Sequence, residues 1–338
     1  MLTPPVGLTE HDLVDVLRRH WGIDSADLRY APVGWGSHHW VLTGRDGSAR
    51  FVTVDDLVAR REHVAEPREA AVERLAGALR SARALADTGS ELVVAPLPGE
   101  DGGLVARVAD AFAVAVYPLV EGESFAWGHP MSAEHRAAVL DMVVEVHAAP
   151  AAVRDLAPVD DYAIPHRDEL EESLREGGEG SAAGAGGAAG PYAARVARLV
   201  ADHATALRAA LATYDALVDD ARQRTDAAFV LTHGEPHPGN TMRTADGWRL
   251  IDWDTARVAP PERDLWSMDP GDGSVHEAYV AVTGRAPRPA VTELYRRRWD
   301  LSDVAVDVAR FRRPHHGSDE DAEAFDILRG QLGAVAGG

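Results

Sequence analysis

Ten residues, LTHGEPHPGN at positions 231–240, bring two histidines, a glutamate and an asparagine into one short segment. A second acidic segment, LIDWD at 250–254, follows shortly after it. Pro236 and Pro238 exclude a helix across the first segment, so its two histidines are not a metal-binding pair one helical turn apart. The first segment is therefore expected to be a loop.

The residues after this loop predict a β-hairpin. TMRTADGWRLIDWD reads as a strand, an Asp246-Gly247 turn and a second strand, which would return Asp252 to the side of Asn240. A carboxylate, an amide and a second carboxylate would then converge at one end of the hairpin. Phosphoryl transfer from a nucleotide requires such a set, with one group for the attacking hydroxyl and two oxygen ligands for magnesium on the phosphates.

The elements that must position this loop change in character along the chain. Residues 9–21 have helical apolar spacing, whereas residues 28–57 alternate and carry glycine turns, which predicts a three-stranded antiparallel meander. An amphipathic helix is expected at 67–87, followed by further strands. Long helices dominate after Ser132.

These patterns predict an α+β fold of two lobes. Residues 1–118 are expected to form a small lobe with an antiparallel sheet, and residues 119–338 a larger, helical lobe. The stretch at 177–190 consists almost entirely of glycine and alanine and is predicted to be a flexible loop.

The composition limits the class of protein. Of the 338 residues, 46% are apolar, yet no apolar run approaches the ~20 residues of a membrane span. The N-terminal segment lacks the basic and apolar regions of a signal peptide. A globular, cytoplasmic protein without a membrane partner is expected, either a monomer or a homodimer.

Two residue types are missing from the sequence. There is no cysteine, which excludes disulfides, thiolate metal sites and a cysteine nucleophile. All 34 basic residues are arginine, so no mechanism that needs a lysine ammonium can operate. The formal net charge of −20 disfavours nucleic acid and favours a cationic ligand, although a solvated acidic surface would also account for it.

HGEPHPGN followed by IDWD resembles the HGD-x-x-x-x-N and I-D-x-[DG] signatures of the aminoglycoside phosphotransferase family. The resemblance covers about residues 25–310 and implies a protein-kinase-like, bilobal fold. It also implies transfer of the γ-phosphate of ATP or GTP, with Mg²⁺, to a hydroxyl of a small molecule. An aminoglycoside-like antibiotic is one candidate acceptor; related members phosphorylate choline, sugars and amino-acid derivatives.

The resemblance assigns roles to the loop and hairpin. Glu235 becomes the catalytic carboxylate, and His233 a brace for the loop. Asn240 and Asp252 become the magnesium ligands. Asp254 remains open, as a ligand of a second metal, a cap for the next turn or a substrate contact.

For the nucleotide, the resemblance implies a glycine-containing loop, a helix with a glutamate and a hinge for the adenine. The residues concerned are Gly34, Gly36 and Ser37 in VGWGSHHW, Glu69 or Glu73 on the helix, and Val116 and Tyr117 in AVYPLVEG.

The sequence departs from the family pattern at two positions. Glu235 stands where the family has aspartate, which extends the carboxylate by one methylene. Thr53 stands where a lysine would contact the α- and β-phosphates. Arginine, histidine or metal must replace that charge, with His39 and Arg50 nearest in sequence. Otherwise the chain is a kinase-like pseudoenzyme or ligand-binding protein.

A helix with acidic residues is the candidate substrate surface. YRRRWDLSDVAVDVARF, at 295–311, contains Trp299 and places Asp300, Asp303 and Asp307 on one helical face. These carboxylates would suit a polyamine or another cationic acceptor. Alternatively, acids near a helix N-terminus simply complement the helix dipole.

Overall fold

The computed structural model describes residues 1–178, 189–223 and 229–337. It contains two compact units. The first comprises Met1–Arg60, Arg68–Asp160 and Ala227–Arg288; the second comprises Arg61–Pro67, Asp161–Asp226 and Pro289–Gly338. Most of the predicted flexible loop at 177–190 lies outside the described residues, and the division into lobes at residue 118 stays a prediction.

The first unit begins with helix α1, Glu10–Trp21. Thr9 and Asp12 form a capping box, because the Thr9 hydroxyl accepts the Asp12 N–H at 3.1 Å and the Asp12 carboxylate accepts the Thr9 N–H at 3.0 Å. Gly22 ends the helix in the left-handed conformation. The helix predicted at 9–21 is confirmed.

A five-stranded antiparallel sheet follows, in the order β1-β2-β3-β5-β4. Its strands are β1 Ser25–Ala31, β2 Ser37–Gly44, β3 Ala49–Asp56, β4 Ala106–Val108 and β5 Phe112–Pro118. Helix α2, Arg68–Asp87, joins β3 to the strands that follow. The predicted meander is confirmed as β1 to β3.

Side chains alternate between the two faces of this sheet. Val52 and Val54 of β3 are buried in one cluster with the apolar face of α1. Ala115 of β5 is buried in a second cluster with α2. Since Thr53 pairs with Ala115 in the sheet register, Thr53 and Asp55 lie on the α2 side.

The rest of the first unit carries the predicted hairpin. Its elements are β6 Glu123–Ser124, α3 Ala133–His147, α4 Ala151–Arg154, β7 Val230–Thr232, β8 Thr241–Thr244, β9 Gly247–Leu250, β10 Arg257–Ala259, α8 Glu262–Leu265 and α9 Ser274–Thr283. Strands β8 and β9 pair antiparallel, with β6 on the other side of β8, and β7 pairs with β10. Fully buried Trp253 and Tyr279 belong to the core of these elements.

The regular elements in the described part of the second unit are all helices. Its helices are α5 Arg167–Gly178, α6 Ala193–Asp202, α7 Ala204–Gln223, α10 Pro289–Arg312 and α11 Asp319–Gly337. Helix α10 contacts α5, α6, α7 and α11 and is the centre of this unit. In neither unit does a described helix have the length and apolar character that a membrane crossing requires.

Candidate active site

The hairpin of β8 and β9 brings Asn240 and Asp252 to its open end. Thr241 pairs with Leu250, and the Ile251 N–H donates to the Asn240 carbonyl at 3.0 Å. Asn240 precedes the first strand of the hairpin and Asp252 follows the second. The hairpin expected from the sequence is therefore confirmed.

The loop before β8 holds its polar groups in fixed positions. The Asn240 side-chain N–H donates to the Glu235 carbonyl at 3.0 Å, so the amide oxygen is the atom that can bind a cation. A Glu235 Oε2 atom lies 3.6 Å from His237 Nε2. The loop before β8 thus supplies two oxygen-bearing groups, the Glu235 carboxylate and the Asn240 amide, in addition to Asp252.

Asp252 combines an unusual backbone with an unfavourable electrostatic environment. Its φ of 65° and ψ of 64° lie in the left-handed region, which aspartate and asparagine tolerate better than most residues. Burial, followed by the charges of Asp254 and Glu235, raises the pKa of the Asp252 carboxyl. A bound cation would remove this penalty, and backbone strain of this kind is concentrated at functional sites.

His233 connects the loop to the hairpin. Its side chain is completely buried, and its Nε2 lies 2.9 Å from the Ile251 carbonyl. The Glu235 N–H donates to its Nδ1 at 3.3 Å. Burial lowers the pKa of His233, which favours the neutral ring with one donor and one acceptor that these contacts require.

Asp264 of α8 fixes the start of the loop through hydrogen bonds to its backbone. Its carboxylate accepts the backbone N–H of His233 at 2.9 Å and that of Gly234 at 2.5 Å. His147 Nε2 lies 3.0 Å from the same carboxylate. Burial acts to raise the pKa of Asp264, but the hydrogen bond and charge of His147 outweigh it and hold the pKa below its usual value. A buried, ionised carboxylate therefore anchors the loop.

The glycine-containing loop lies between β1 and β2. Gly34 and Gly36 have φ angles of 69° and 88°, which glycine adopts without steric cost. Ser37 follows directly and is buried, and its hydroxyl donates to Asp55 at 2.6 Å. The loop thus ends on a carboxylate of the neighbouring strand.

Arg60 joins this carboxylate to the hairpin. Its Nη2 lies 2.6 Å from Asp55 Oδ1 and donates to Ser37 Oγ at 3.1 Å. The same nitrogen donates to Asp254. Burial acts to lower the pKa of Arg60, but Asp254 and Asp55 outweigh it and raise the pKa, so Arg60 is a permanent cation among these acids.

Comparison with known proteins identifies the family. Residues 27–294 match the model of the phosphotransferase enzyme family. The chain belongs to that family. The expected small-molecule phosphotransferase is thereby confirmed.

One curated relative and two solved structures are informative. Protein StrN of Streptomyces griseus is 36% identical over 263 residues, which cover 75% of each chain. The spectinomycin phosphotransferase APH(9)-Ia, in complex with ADP and spectinomycin, superposes with a TM-score of 0.66 at 15% identity, covering 96% of this chain and 97% of that one. The amicoumacin kinase hAmiN, in complex with AMP-PNP, Ca²⁺ and Ami, gives a TM-score of 0.56 at 11% identity, covering 96% of this chain and 93% of that one. These similarities confirm the kinase-like α+β fold.

The nucleotide lysine of the family has no counterpart on β3. Thr53 pairs with His39 on one side and Ala115 on the other. His39 Nδ1 lies 2.8 Å from the Val33 carbonyl of the glycine-containing loop, and burial lowers the pKa of this histidine. His39 therefore contributes little positive charge at neutral pH.

The other sequence candidate for the missing charge, Arg50, lies at the turn between β2 and β3. It donates to Ser48 and is 3.8 Å from Asp46. The structure instead brings Arg60 to the carboxylates. Asp55 and Arg60 are absent from the sequence prediction, and the only available signals are the lack of lysine and the shared strand face of Thr53 and Asp55.

The two α2 glutamates that the resemblance offered as partners of a nucleotide-binding cation form other ion pairs in this structure. Glu69 is 70% exposed and lies 2.8 Å from Arg107, and Glu73 pairs with Arg80. Among the contacts of the described residues, Arg60 pairs with Asp55. A contact of Glu69 or Glu73 with a nucleotide-binding cation stays a prediction.

The two predicted hinge residues end strand β5. Val116 is fully buried in the cluster with α1, and its carbonyl accepts the Leu97 N–H at 2.6 Å. Tyr117 faces the other way and is buried with the α2 cluster. Their contact with an adenine stays a prediction.

The acidic helix predicted at the C-terminal end is present as α10 of the second unit. Asp303 accepts a hydrogen bond from Gln331 of α11 at 3.1 Å. Burial raises the pKa of Asp307 to about 7. Asp300 is exposed and Trp299 is half-buried on the same helix. Their contact with substrate stays a prediction, whereas Asp254 is engaged by Arg60.

The donor set fits magnesium rather than a metal bound entirely by protein. No three His, Asp or Glu side chains among the described residues converge closely enough to hold a metal by themselves. Magnesium typically uses one or two carboxylates, with phosphates and water completing its shell. The Asn240 amide oxygen and the crowded Asp252 carboxylate match that requirement.

Proposed function

We propose that this phosphotransferase moves the γ-phosphoryl group of ATP or GTP, bound as the magnesium complex, to a hydroxyl of a small molecule. The observation that carries the proposal is the convergence of Glu235, Asn240 and Asp252 at one end of the β8–β9 hairpin. Membership of the family and the ADP-bound and AMP-PNP-bound relatives support the use of a nucleotide.

Glu235 is the group that orients the acceptor. Its carboxylate accepts the proton of the attacking hydroxyl as the oxygen–phosphorus bond forms and the bond from the γ-phosphorus to the leaving ADP or GDP breaks. Asp264 holds the backbone just before Glu235, and His233 accepts the N–H of Glu235 itself, so the longer glutamate side chain starts from a fixed point. Asn240 and Asp252 would hold Mg²⁺, which offsets the charge of the phosphates.

The proposed acceptor is a hydroxyl-bearing amine of the aminoglycoside-like class. Spectinomycin and amicoumacin are the antibiotics that the two structural relatives bind. The net charge of −20 favours a cationic acceptor. Beside the loop of residues 231–240, Trp127 is 62% exposed and its ring centroid lies 6.3 Å from that of His237, so a cation or a sugar bound there would meet an indole.

The test is phosphoryl transfer by the purified protein. ATP and GTP are each supplied with magnesium and a panel of aminoglycosides, spectinomycin, choline and simple sugars, and phosphorylated products are detected by mass spectrometry. Transfer to at least one cationic antibiotic is expected. Glu235→Gln should lower that transfer at least 100-fold, because the base is lost, while nucleotide affinity changes less than threefold.

A matched variant, Glu277→Gln, makes the same chemical change at an exposed position of α9 and should keep full activity. Nucleotide binding without transfer to any acceptor would favour the kinase-like pseudoenzyme. Undiminished transfer by Glu235→Gln would contradict the role of Glu235.

A further inference from the structure

A nucleotide-binding site on this sheet needs a positive charge that lysine cannot supply. The sequence contains no lysine, and Thr53 offers only a neutral hydroxyl. A charge-assisted hydrogen bond to phosphate is roughly twice as strong as a neutral one. The glutamates of α2 pair with Arg107 and Arg80, and neither is among the contacts of Arg60 in the described part of the chain.

Arg60 is held in place by the end of β3. The Arg60 N–H donates to the Asp56 carbonyl at 3.0 Å, which closes a single turn directly after the strand. Arg74 of α2 donates to the Arg60 carbonyl at 2.7 Å. The backbone of Arg60 is therefore fixed from both the strand and the helix.

The guanidinium is held by Asp55. The Arg60 Nε donates to Asp55 Oδ1 at 2.8 Å, and Asp55 is only 3% exposed. Asp55 lies directly opposite Ser37 in the sheet register, and the Ser37 hydroxyl binds both of them. This network of Arg60, Asp55 and Ser37 fixes the position of the Arg60 guanidinium.

The Arg60 guanidinium lies between the two parts of the proposed nucleotide site, which are the glycine-containing loop and the end of the β8–β9 hairpin. Ser37 is the first residue after the glycine-containing loop, and Asp254 is two residues beyond the magnesium ligand Asp252. Arg60 contacts both Ser37 and Asp254. Phosphates that span from the glycine-containing loop to the metal must pass the guanidinium.

We infer that Arg60 binds the α- and β-phosphates of the nucleotide, with Asp55 as its positioning residue, and that this pair replaces the absent lysine and its helix glutamate. The inference rests on the proposed function. On nucleotide binding, the guanidinium exchanges Asp254 for phosphate oxygens and keeps Asp55. The planar, always charged group suits such oxygens because it can donate two parallel hydrogen bonds.

A different role for Arg60 predicts the opposite result. If Arg60 only neutralises Asp254 and Asp252, it competes with magnesium for those carboxylates. Its removal would then tighten the binding of Mg-nucleotide. The direction of the change in affinity therefore separates the two roles.

The experiment is calorimetric titration of Arg60→Gln and the parent with Mg-ATP, Mg-GTP and adenosine. A loss of at least tenfold is expected for the preferred Mg-nucleotide and less than threefold for adenosine, which has no phosphates. Arg50→Gln removes the same charge near the opposite end of β3 and should bind as the parent does. Unchanged or tighter Mg-nucleotide binding by Arg60→Gln would overturn the inference, as would an equal loss for adenosine.

Two further variants guard against misfolding. Arg60→Lys keeps the charge and should lose less affinity than Arg60→Gln. The double variant Thr53→Lys/Arg60→Gln places a cation on the face of β3 that carries Asp55. It should recover at least threefold in Mg-nucleotide affinity relative to Arg60→Gln. A double variant that binds no better than Arg60→Gln would contradict the replacement of lysine by Arg60.

Failure of the Arg60 inference and failure of the proposed function give different results. Transfer without an effect of Arg60→Gln would reject only the role of Arg60. Nucleotide binding that depends on Arg60, without transfer to any acceptor, would reject only the transfer. A parent protein that binds neither nucleotide would reject both.

Discussion

The surroundings of Asp252 disfavour a negative charge on its side chain. Asp252 lies in the loop after β9, where desolvation by the surrounding chain, followed by the carboxylates of Asp254 and Glu235, raises its pKa. Its left-handed backbone excludes most residues but suits asparagine as well as aspartate. An asparagine at this position therefore keeps the shape of the site and removes only the charge.

We expect Asp252→Asn to lose magnesium-dependent nucleotide binding and to keep or gain stability, by up to about 1 kcal/mol, because a crowded charge is removed. Titration with ATP in the presence and absence of Mg²⁺ measures the first effect, and thermal unfolding the second. Asp246→Asn, in the exposed turn of the same hairpin, is the control and should change neither. The same magnesium-dependent affinity in Asp252→Asn and the parent would make Asp252 a structural residue.

At the scale of elements, the catalytic loop depends on α8. Asp264 of α8 accepts two backbone N–H groups of the loop, and Arg263 donates to the Thr232 hydroxyl at 2.9 Å. Gly234 lies between them with a φ of 102°, and a Cβ at this position would come within 2.4 Å of the Arg263 guanidinium. The glycine is needed both for its backbone conformation and for the close approach of Arg263.

Gly234→Ala should therefore destabilise the protein by about 2 kcal/mol or more and lower phosphoryl transfer, since the positive φ and the steric contact both act against alanine. Gly271→Ala is the matched control. Its φ of 87° imposes a similar backbone cost, but its Cβ would meet nothing within 4 Å. The difference in unfolding free energy between the two variants measures the contact with Arg263. Equal losses would show that Arg263 moves away without cost.

The elements that were predictable from the sequence are those defined by local signals. The capping box at Thr9 and the Asp246-Gly247 turn of the hairpin involve residues within a few positions of each other. The direction of the α2 glutamates was not predictable. Helical spacing identifies the apolar face of α2, but which exposed residue meets a distant arginine, as Glu69 meets Arg107, depends on tertiary packing.

At the scale of the molecule, the family could be identified from one segment, whereas the contacts of Arg60 with Ser37, Asp55 and Asp254 could not. HGEPHPGN and IDWD lie in one continuous hairpin, so their order in the sequence preserves their geometry. Arg60 and Asp254 are 194 positions apart and meet only in the folded first unit. The missing lysine raises the question of a replacement, but the position of the proposed one, Arg60, depends on the register of β2 and β3 and on the turn after Asp56.

The acidic character of the whole chain has a consequence for its stability at different pH values. The chain contains 54 acidic and 34 basic residues, and burial of a carboxylate favours its protonated form. Asp307 of α10 is such a group, because burial raises its pKa to about 7, whereas the nearby Arg310 acts in the opposite direction. The folded protein therefore holds this proton at pH values where the unfolded chain has released it.

A raised pKa in the folded state stabilises the protein below the unfolded pKa of ~4, and this stabilisation is lost as the pH rises through about 7. Asp307→Asn cannot ionise, so it should match the parent near pH 4 and exceed it at pH 8 by on the order of 2 kcal/mol, which raises Tm by several degrees. Calorimetric unfolding of both proteins from pH 4 to 8 measures the difference. Asp326→Asn, at an exposed position of α11, should give no such divergence. Parallel stability curves for Asp307→Asn and the parent would mean that Asp307 ionises in the folded protein as readily as in the unfolded chain.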